Sequence, residues 1–224
     1  MSDILQRLSE CVEAGKANAK SSYPPQLKGQ PGADELCQEA LAAGVPPSDV
    51  LEQALVPAMA RTGEKFSRGE AFVPEMLLAA RAMTAAMAHL RPYFASGEVK
   101  RHGVFVVGTV AGDLHDIGKS IVAMMVEGAG WQVVDLGVDV KTQTIHAAID
   151  EHPDCVVGLS ALLTTTMVNM EKTVHEIRAR HPGTVILVGG APVTREFCQK
   201  IGASHYAPDP QGAVEYLKSV VVAA

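Results

Sequence analysis

The sequence predicts an α/β protein in two parts: an N-terminal four-helix bundle followed by a flavodoxin-like, Rossmann-type five-stranded parallel sheet. Residues 1–95 carry helical patterning throughout, whereas from residue 103 short β-branched runs alternate with amphipathic stretches. A change of hydrophobic period of this kind marks a domain boundary. The length agrees, because 224 residues at 47% hydrophobic and 20% charged fit one large or two small globular domains. The expected division is a helical domain over 1–95, a linker over 96–102 and a sheet domain over 103–224.

In the first part, helices are expected near 3–17, 33–43, 48–68 and 74–94, the last two opening after Ser48 and Pro74. Four such helices make a small bundle. The segment SSYPPQLKGQPG, Ser21 to Gly32, holds three prolines and two glycines and reads as a loop longer than the usual connection. The fourth helix bears Met76, Met83, Met87 and Leu90 on one face, among many alanines. Such a stripe is either ordinary bundle core or the underside of a lid over a large flat ligand.

In the second part, strands are expected at GVFVVGTV, QVVDLGV, CVVGLSA, TVILVGG and SHYA, with helices from Ile117, Thr142, Thr166, Thr194 and Gln211. Alternating strand and helix imply a parallel sheet covered by helices, and right-handed crossovers favour the strand order 2-1-3-4-5. In that order the chain reverses its winding at the carboxyl end of the first strand, where a ligand crevice opens. The loop at that point is VAGDLHDIGKS.

Charge and composition exclude several functions. Nineteen Lys and Arg against 25 Asp and Glu give a net charge of -6, unsuited to nonspecific binding of nucleic acid or anionic membrane. No apolar run approaches the roughly 18 residues of a membrane-spanning helix, and the start MSDILQRLSE is acidic where a signal peptide is basic. A cytoplasmic location is expected. Cys11, Cys37, Cys155 and Cys198 are scattered singly, with neither zinc-knuckle nor disulfide spacing, and read as inert buried thiols.

The loop after the first strand invites comparison with a phosphate loop, but five residues separate Gly112 from Gly118-Lys119-Ser120 where four are required. Its two carboxylates, Asp113 and Asp116, would repel phosphate. A phosphoacceptor receiver domain needs an acidic pair after the first strand and an acceptor Asp after the third, which here ends in Ser160. What remains is an imidazole, His115, two residues from a carboxylate, Asp113. In extended backbone the two project to one side, so Asp113 can orient His115 and make its other nitrogen a better metal donor. A surface His beside surface acids has the same local sequence.

Asp113-x-His115-x-x-Gly118 is followed after the 41 residues 119–159 by Ser160-x-Leu162, and after the 26 residues 163–188 by Gly189-Gly190. This resembles the D-x-H-x-x-G, S-x-L and G-G signature of domains that bind cobalamin base-off and His-on. The stretch FVPEMLLAARAM, Phe72 to Met83, resembles the helical cap preceding that domain in methionine synthase and in corrinoid proteins of methyltransferase systems. Together the two resemblances cover nearly the whole chain; the proline-rich loop over 21–32 is a departure without an assigned role.

The resemblance implies a cobalamin or related corrinoid, cycling between methylcobalamin and a cobalt(I) cobamide. His115 would be the lower axial ligand to cobalt and Asp113 its hydrogen-bond acceptor. Thr166, six residues after Ser160, would complete a His-Asp-Thr relay. Ser160 and Leu162 would line a slot for the displaced nucleotide tail, with Gly118, Gly189 and Gly190 allowing close approach. Tyr206 and Asp209 lie at the same sheet edge, where turn chemistry explains Pro208 and Pro210 equally well. Phe72 and the methionine stripe would shield the upper face, in a cap that moves aside for reaction.

The implied function is a corrinoid methyl carrier, non-catalytic alone. It would shuttle a methyl group between a substrate-specific methyltransferase and a second methyltransferase acting on a thiol or tetrahydrofolate, with a reductive activase as a third partner. The methyl donor, whether methanol, a methylamine, betaine or a methoxylated aromatic, is left open. A cobalamin-dependent sensor would need a basic DNA-reading region, yet residues 1–95 hold nine Lys and Arg against 11 Asp and Glu, a net of -2. The small subunit of an adenosylcobalamin mutase is the other alternative, disfavoured by the cap.

Overall fold

The computed structural model describes residues 3–222, which divide into two compact units, one of residues 3–101 with 128–130 and one of 102–127 with 131–222. The first unit contains α1 (Asp3–Glu13), a short 3-10 turn (Pro25–Leu27), α2 (Ala33–Ala42), α3 (Pro47–Asp49), a π-helical stretch (Val50–Leu55), α4 (Val56–Ser67) and α5 (Val73–Ala95). The expected helix to residue 17 stops four residues early. Gly15 adopts φ +72°, and a Cβ there would lie 2.6 Å from Leu78 Cβ, so the chain turns where α5 passes close.

The expected helix over 48–68 is interrupted for a different reason. Pro57 has no N–H, and its ring excludes the α-helical register with residue 53. The preceding turn widens instead, so that the Val56 amide bonds the Leu51 carbonyl. Met76, Met83, Met87 and Leu90 are at most 5% exposed, which makes the stripe bundle core. Burying each such side chain contributes about 1.5–3 kcal/mol.

The long connection from α1 to α2 is ordered by its own polar groups. Lys16 is wholly buried, and its Nζ donates to the Ser21 carbonyl at 2.8 Å. Glu35, in the first turn of α2, accepts from the amides of Ala19 and Gly32, both at 2.9 Å. One carboxylate thus caps α2 and pins both ends of the loop.

The second unit runs β1 (Val104–Thr109), α6 (Ile117–Gly128), β2 (Gln132–Asp135), α7 (Thr142–Glu151), β3 (Val156–Ser160), α8 (Met167–Arg180), β4 (Val185–Gly189), α9 (Arg195–Ile201), β5 (His205–Tyr206) and α10 (Pro210–Val222). The five strands are parallel in the order β2-β1-β3-β4-β5, as the sequence predicts. Val106, Val157, Leu159, Ile186 and Val188 form the sheet's share of a core closed by Ile145 and Ile149 of α7 and Met170, Val174 and Ile177 of α8. The register pairs Thr109 with Ser160 and Ser160 with Gly189. Three functional candidates or their supports therefore stand side by side at one sheet edge. Among the described residues no helix is long and apolar enough to cross a membrane.

Candidate functional site

The loop between β1 and α6 carries His115 at the carboxyl edge of the sheet, where the winding direction reverses. Its imidazole Nδ1 lies 2.8 Å from Asp113 Oδ1, and its own amide donates to the same oxygen at 3.1 Å. Asp113 is wholly buried. Its second oxygen accepts from the Leu162 amide at 2.8 Å, the Leu163 amide at 3.3 Å and the Thr166 hydroxyl at 2.7 Å. The β3–α8 loop therefore supplies donors to a carboxylate that the β1–α6 loop presents.

Burial by itself raises the Asp113 pKa. The hydrogen bonds from Thr166, Leu162 and His115 outweigh it and hold the carboxyl well below the usual range. An ionised carboxylate only accepts, so Nδ1 of His115 carries the proton and Nε2 carries the lone pair. The His115 side chain is 51% exposed, leaving that lone pair accessible.

Three residues that the sequence reading passes over complete the support. Thr109, wholly buried, donates its hydroxyl to the His115 carbonyl at 2.9 Å. Asn169 of α8 donates to the Ala111 carbonyl at 2.7 Å. Asp139, beyond β2, accepts from the Gly112 amide at 2.7 Å and donates its own amide to the Asp113 carbonyl at 3.0 Å. None belongs to a spaced motif. Only the end-of-strand position of Thr109 and the acidic residue in the β2–α7 turn are signals in the sequence.

Beside this network is a cavity of about 370 Å³ whose lining includes Gly118, Ser160, Gly189, Gly190, Tyr206 and Asp209. Its walls are mainly apolar, from Phe105, Val107, Val122, Leu159, Leu187 and Val188. Lys119 also lines it, buried and paired to Asp135 at 2.6 Å. Leu162, expected in this lining, is absent from it. Its amide is committed to Asp113, and its side chain is 42% exposed beside the histidine loop.

The glycines divide by role. A Cβ on Gly118 would meet nothing within 4 Å, so space stands open above the first turn of α6. Gly190, at φ +128°, is required by the chain itself, because a Cβ there would fall 1.8 Å from the Ala161 carbonyl oxygen. Phe72 belongs to the first unit, where it precedes α5 and is 66% exposed.

The arrangement fits a flat, largely apolar metal complex with an extended tail. Leu114 and Ile117 flank His115 at 72% and 69% exposure, and Leu162 and Leu163 add a second exposed apolar pair. Such a grouping around one donor atom marks a binding surface. Among the described residues no three His, Cys, Asp or Glu side chains gather to hold a metal ion. A lone imidazole suits a metal whose other positions are filled by a macrocycle. The mainly apolar cavity beside it has room for a further part of such a ligand.

Comparison with known proteins agrees with this chemistry. Residues 103–214 match a family described as B12 binding domain, and residues 30–91 match a second family of the same description. The trimethylamine corrinoid protein of Methanosarcina barkeri is 41% identical over 194 residues, covering 84% of this chain and 89% of that one. Dimethylamine corrinoid protein 1 of Methanosarcina mazei is 34% identical over 223 residues, covering 98% and 97%. A chain in the crystal structure of the methanol:cobalamin methyltransferase complex MtaBC from Methanosarcina barkeri shares the fold. Its TM-score is 0.83 at 24% identity, covering 100% of this chain and 81% of that one.

Proposed function

Because the chain belongs to the corrinoid proteins of methyltransferase systems, within the B12 binding domain family, we propose that it is a methyl carrier holding its corrinoid base-off and His-on. The single observation that carries the His-on reading is the buried, ionised Asp113 holding Nδ1 of the exposed His115 at 2.8 Å. That contact leaves Nε2 as the one nitrogen able to bind cobalt. When bound, the corrinoid supplies a cobalt centre that accepts a methyl group from one partner and yields it to another.

The chain's own residues have separate tasks in this reading. His115 would hold the cobalt through Nε2, and Asp113 would fix its tautomer by accepting from Nδ1. Thr166 holds Asp113 from behind, completing the relay. Ser160, Gly118, Gly189 and Gly190 border the cavity proposed for the nucleotide tail, with Tyr206 and Asp209 beside them. The Asp113 contact at 2.8 Å would keep the His115 ring oriented in its loop whether or not the cofactor is bound. We assign residues 1–95 to a cap domain, 96–102 to a linker and 103–224 to the cofactor domain.

The donor proposed is an amine carrying N-methyl groups, supported by the names of the trimethylamine and dimethylamine relatives. The partners in this reading would be a substrate-specific methyltransferase, a second methyltransferase acting on a thiol or tetrahydrofolate, and a reductive activase. The buried free cysteines suit a reducing, cytoplasmic setting. To test this, the reduced, corrinoid-loaded protein is mixed with its co-purifying methyltransferase and with trimethylamine, dimethylamine or methanol, and the methylated absorption spectrum is followed. Formation with an amine is expected. Formation with methanol alone contradicts the donor, and no loading at stoichiometric hydroxocobalamin contradicts the carrier.

A further inference from the structure

We propose that Asp139 is a positioning residue that sets the presentation of His115 to cobalt, acting through the backbone of the Gly112–Asp113 loop. The inference rests on the reading of His115 as lower axial ligand and adds what controls it. Asp139 is the only non-glycine with positive φ among the described residues, at +52°. An L side chain adopts this left-handed conformation at a cost that glycine avoids, and observed strain of this kind points to a purpose for the side chain.

The purpose is visible in its two contacts. The carboxylate accepts the Gly112 amide at 2.7 Å, and the Asp139 amide donates to the Asp113 carbonyl at 3.0 Å. One residue thus grips the peptide units on either side of the Gly112–Asp113 peptide, one through its acceptor and one through its donor. Glycine at 139 would relax the backbone and keep the amide, but nothing would replace the acceptor. Gly112 itself sits at φ +81°, so its amide is directed by a tight turn toward Asp139 Oδ1.

The clamp acts on the ligand because Asp113 is both its target and the holder of His115. The Asp113 carboxylate is fixed to the β3–α8 loop through Leu162 and Thr166, while its backbone is fixed to the β2–α7 turn through Asp139. Fixing one end alone lets the side chain pivot about Cα–Cβ. Fixing both gives His115 Nδ1 a stationary acceptor and so defines the direction of Nε2.

The test compares Asp139→Gly, which keeps the left-handed backbone and removes the acceptor, with Asp139→Asn, which keeps an acceptor oxygen. Each protein is loaded with hydroxocobalamin and reduced to cobalt(II). The ratio of His-on to His-off signal is then read from nitrogen splitting in the electron paramagnetic resonance spectrum. Hydrogen exchange at the Gly112 amide is measured on the cofactor-free protein. Asp139→Gly is expected to speed that exchange and to lower the ratio about tenfold, the loss of a hydrogen bond to a charged acceptor. Asp139→Asn should stay within about threefold of the wild type on both measures.

A residue that merely stabilises the turn would lower the melting temperature without moving the ratio. Faster Gly112 exchange at an unchanged ratio therefore overturns the proposal, as does an unchanged result on both measures. A wild-type spectrum lacking nitrogen splitting overturns the axial-ligand reading itself. Failure of the Asp139 proposal alone leaves the wild-type splitting intact.

Discussion

The two oxygens of Asp113 accept five hydrogen bonds, from the amides of His115, Leu162 and Leu163, the ring of His115 and the hydroxyl of Thr166. An asparagine offers one acceptor oxygen and turns an NH₂ toward donors. Asp113→Asn should therefore cost about 1–3 kcal/mol of stability in the cofactor-free protein, read as a lower urea midpoint. The pH dependence has a definite sign. A carboxyl whose folded pKa is lowered contributes stability that is complete above its unfolded value near about 4 and is lost as pH falls toward the folded value. Wild-type stability should decline on acidification below about pH 4 more steeply than that of the variant. Equal stability of the two proteins at neutral pH would contradict the buried-acceptor account. Asp113 and His115 are legible in the sequence as a pair two residues apart within a spaced signature, and Thr166 only through the resemblance, six residues after Ser160. Thr109, Asp139 and Asn169 are not, because their contacts arise only when β1, β2 and α8 are brought together.

At the scale of elements, helices α7 and α8 meet through two histidines. The rings of His146 and His181 lie 5.1 Å apart, His146 is 8% exposed, and among the described residues His146 Nδ1 has no hydrogen-bond partner. Burial lowers the His146 pKa, and Arg180 and His181 add to this against the opposing effect of Glu176 and Asp150. A histidine with a lowered folded pKa takes up its proton first in the unfolded chain, so stability falls as pH drops below the unfolded value of about 6.5. Between about pH 7.5 and 5.5 the wild-type urea midpoint should fall more than that of His146→Gln; parallel declines would remove the helix pair as an acid-sensitive point.

Helix α5 gives a second test. Met83→Ala should cost about 2–5 kcal/mol while leaving the bound corrinoid's spectrum unchanged, because Met83 is 2% exposed within the bundle core. A spectral shift would return the stripe to the cofactor. The helical patterning placed α2 and α5 closely and left two details unread. The early end of α1 depends on Leu78 approaching Gly15, and the π turn before Pro57 depends on which backbone register the surrounding packing accepts. Strand order was legible because crossover handedness leaves few choices for five alternating units.

On the scale of the whole molecule, a chain of net charge -6 gathers its glycines, Ser160 and an apolar cavity at one sheet edge. The residue types around that edge explain the chemistry better than their number does. Large exposed aliphatics surround a single accessible imidazole, while the polar groups beneath it are consumed in holding that ring. The cavity beside it was implied only by the resemblance, which placed Ser160 and the paired glycines at its edge and Leu162 wrongly within it. The part taken by Gly190 was not, since its missing Cβ makes room for the Ala161 carbonyl. The central claim is that this imidazole replaces the corrinoid's own base on cobalt. Protein grown with ¹⁵N-histidine, loaded with unlabelled cobalamin and reduced to cobalt(II), tests it by electron paramagnetic resonance. The triplet nitrogen splitting of the unlabelled protein is expected to become a doublet, whereas a triplet that persists would show the cofactor's own base on the metal and contradict His-on binding.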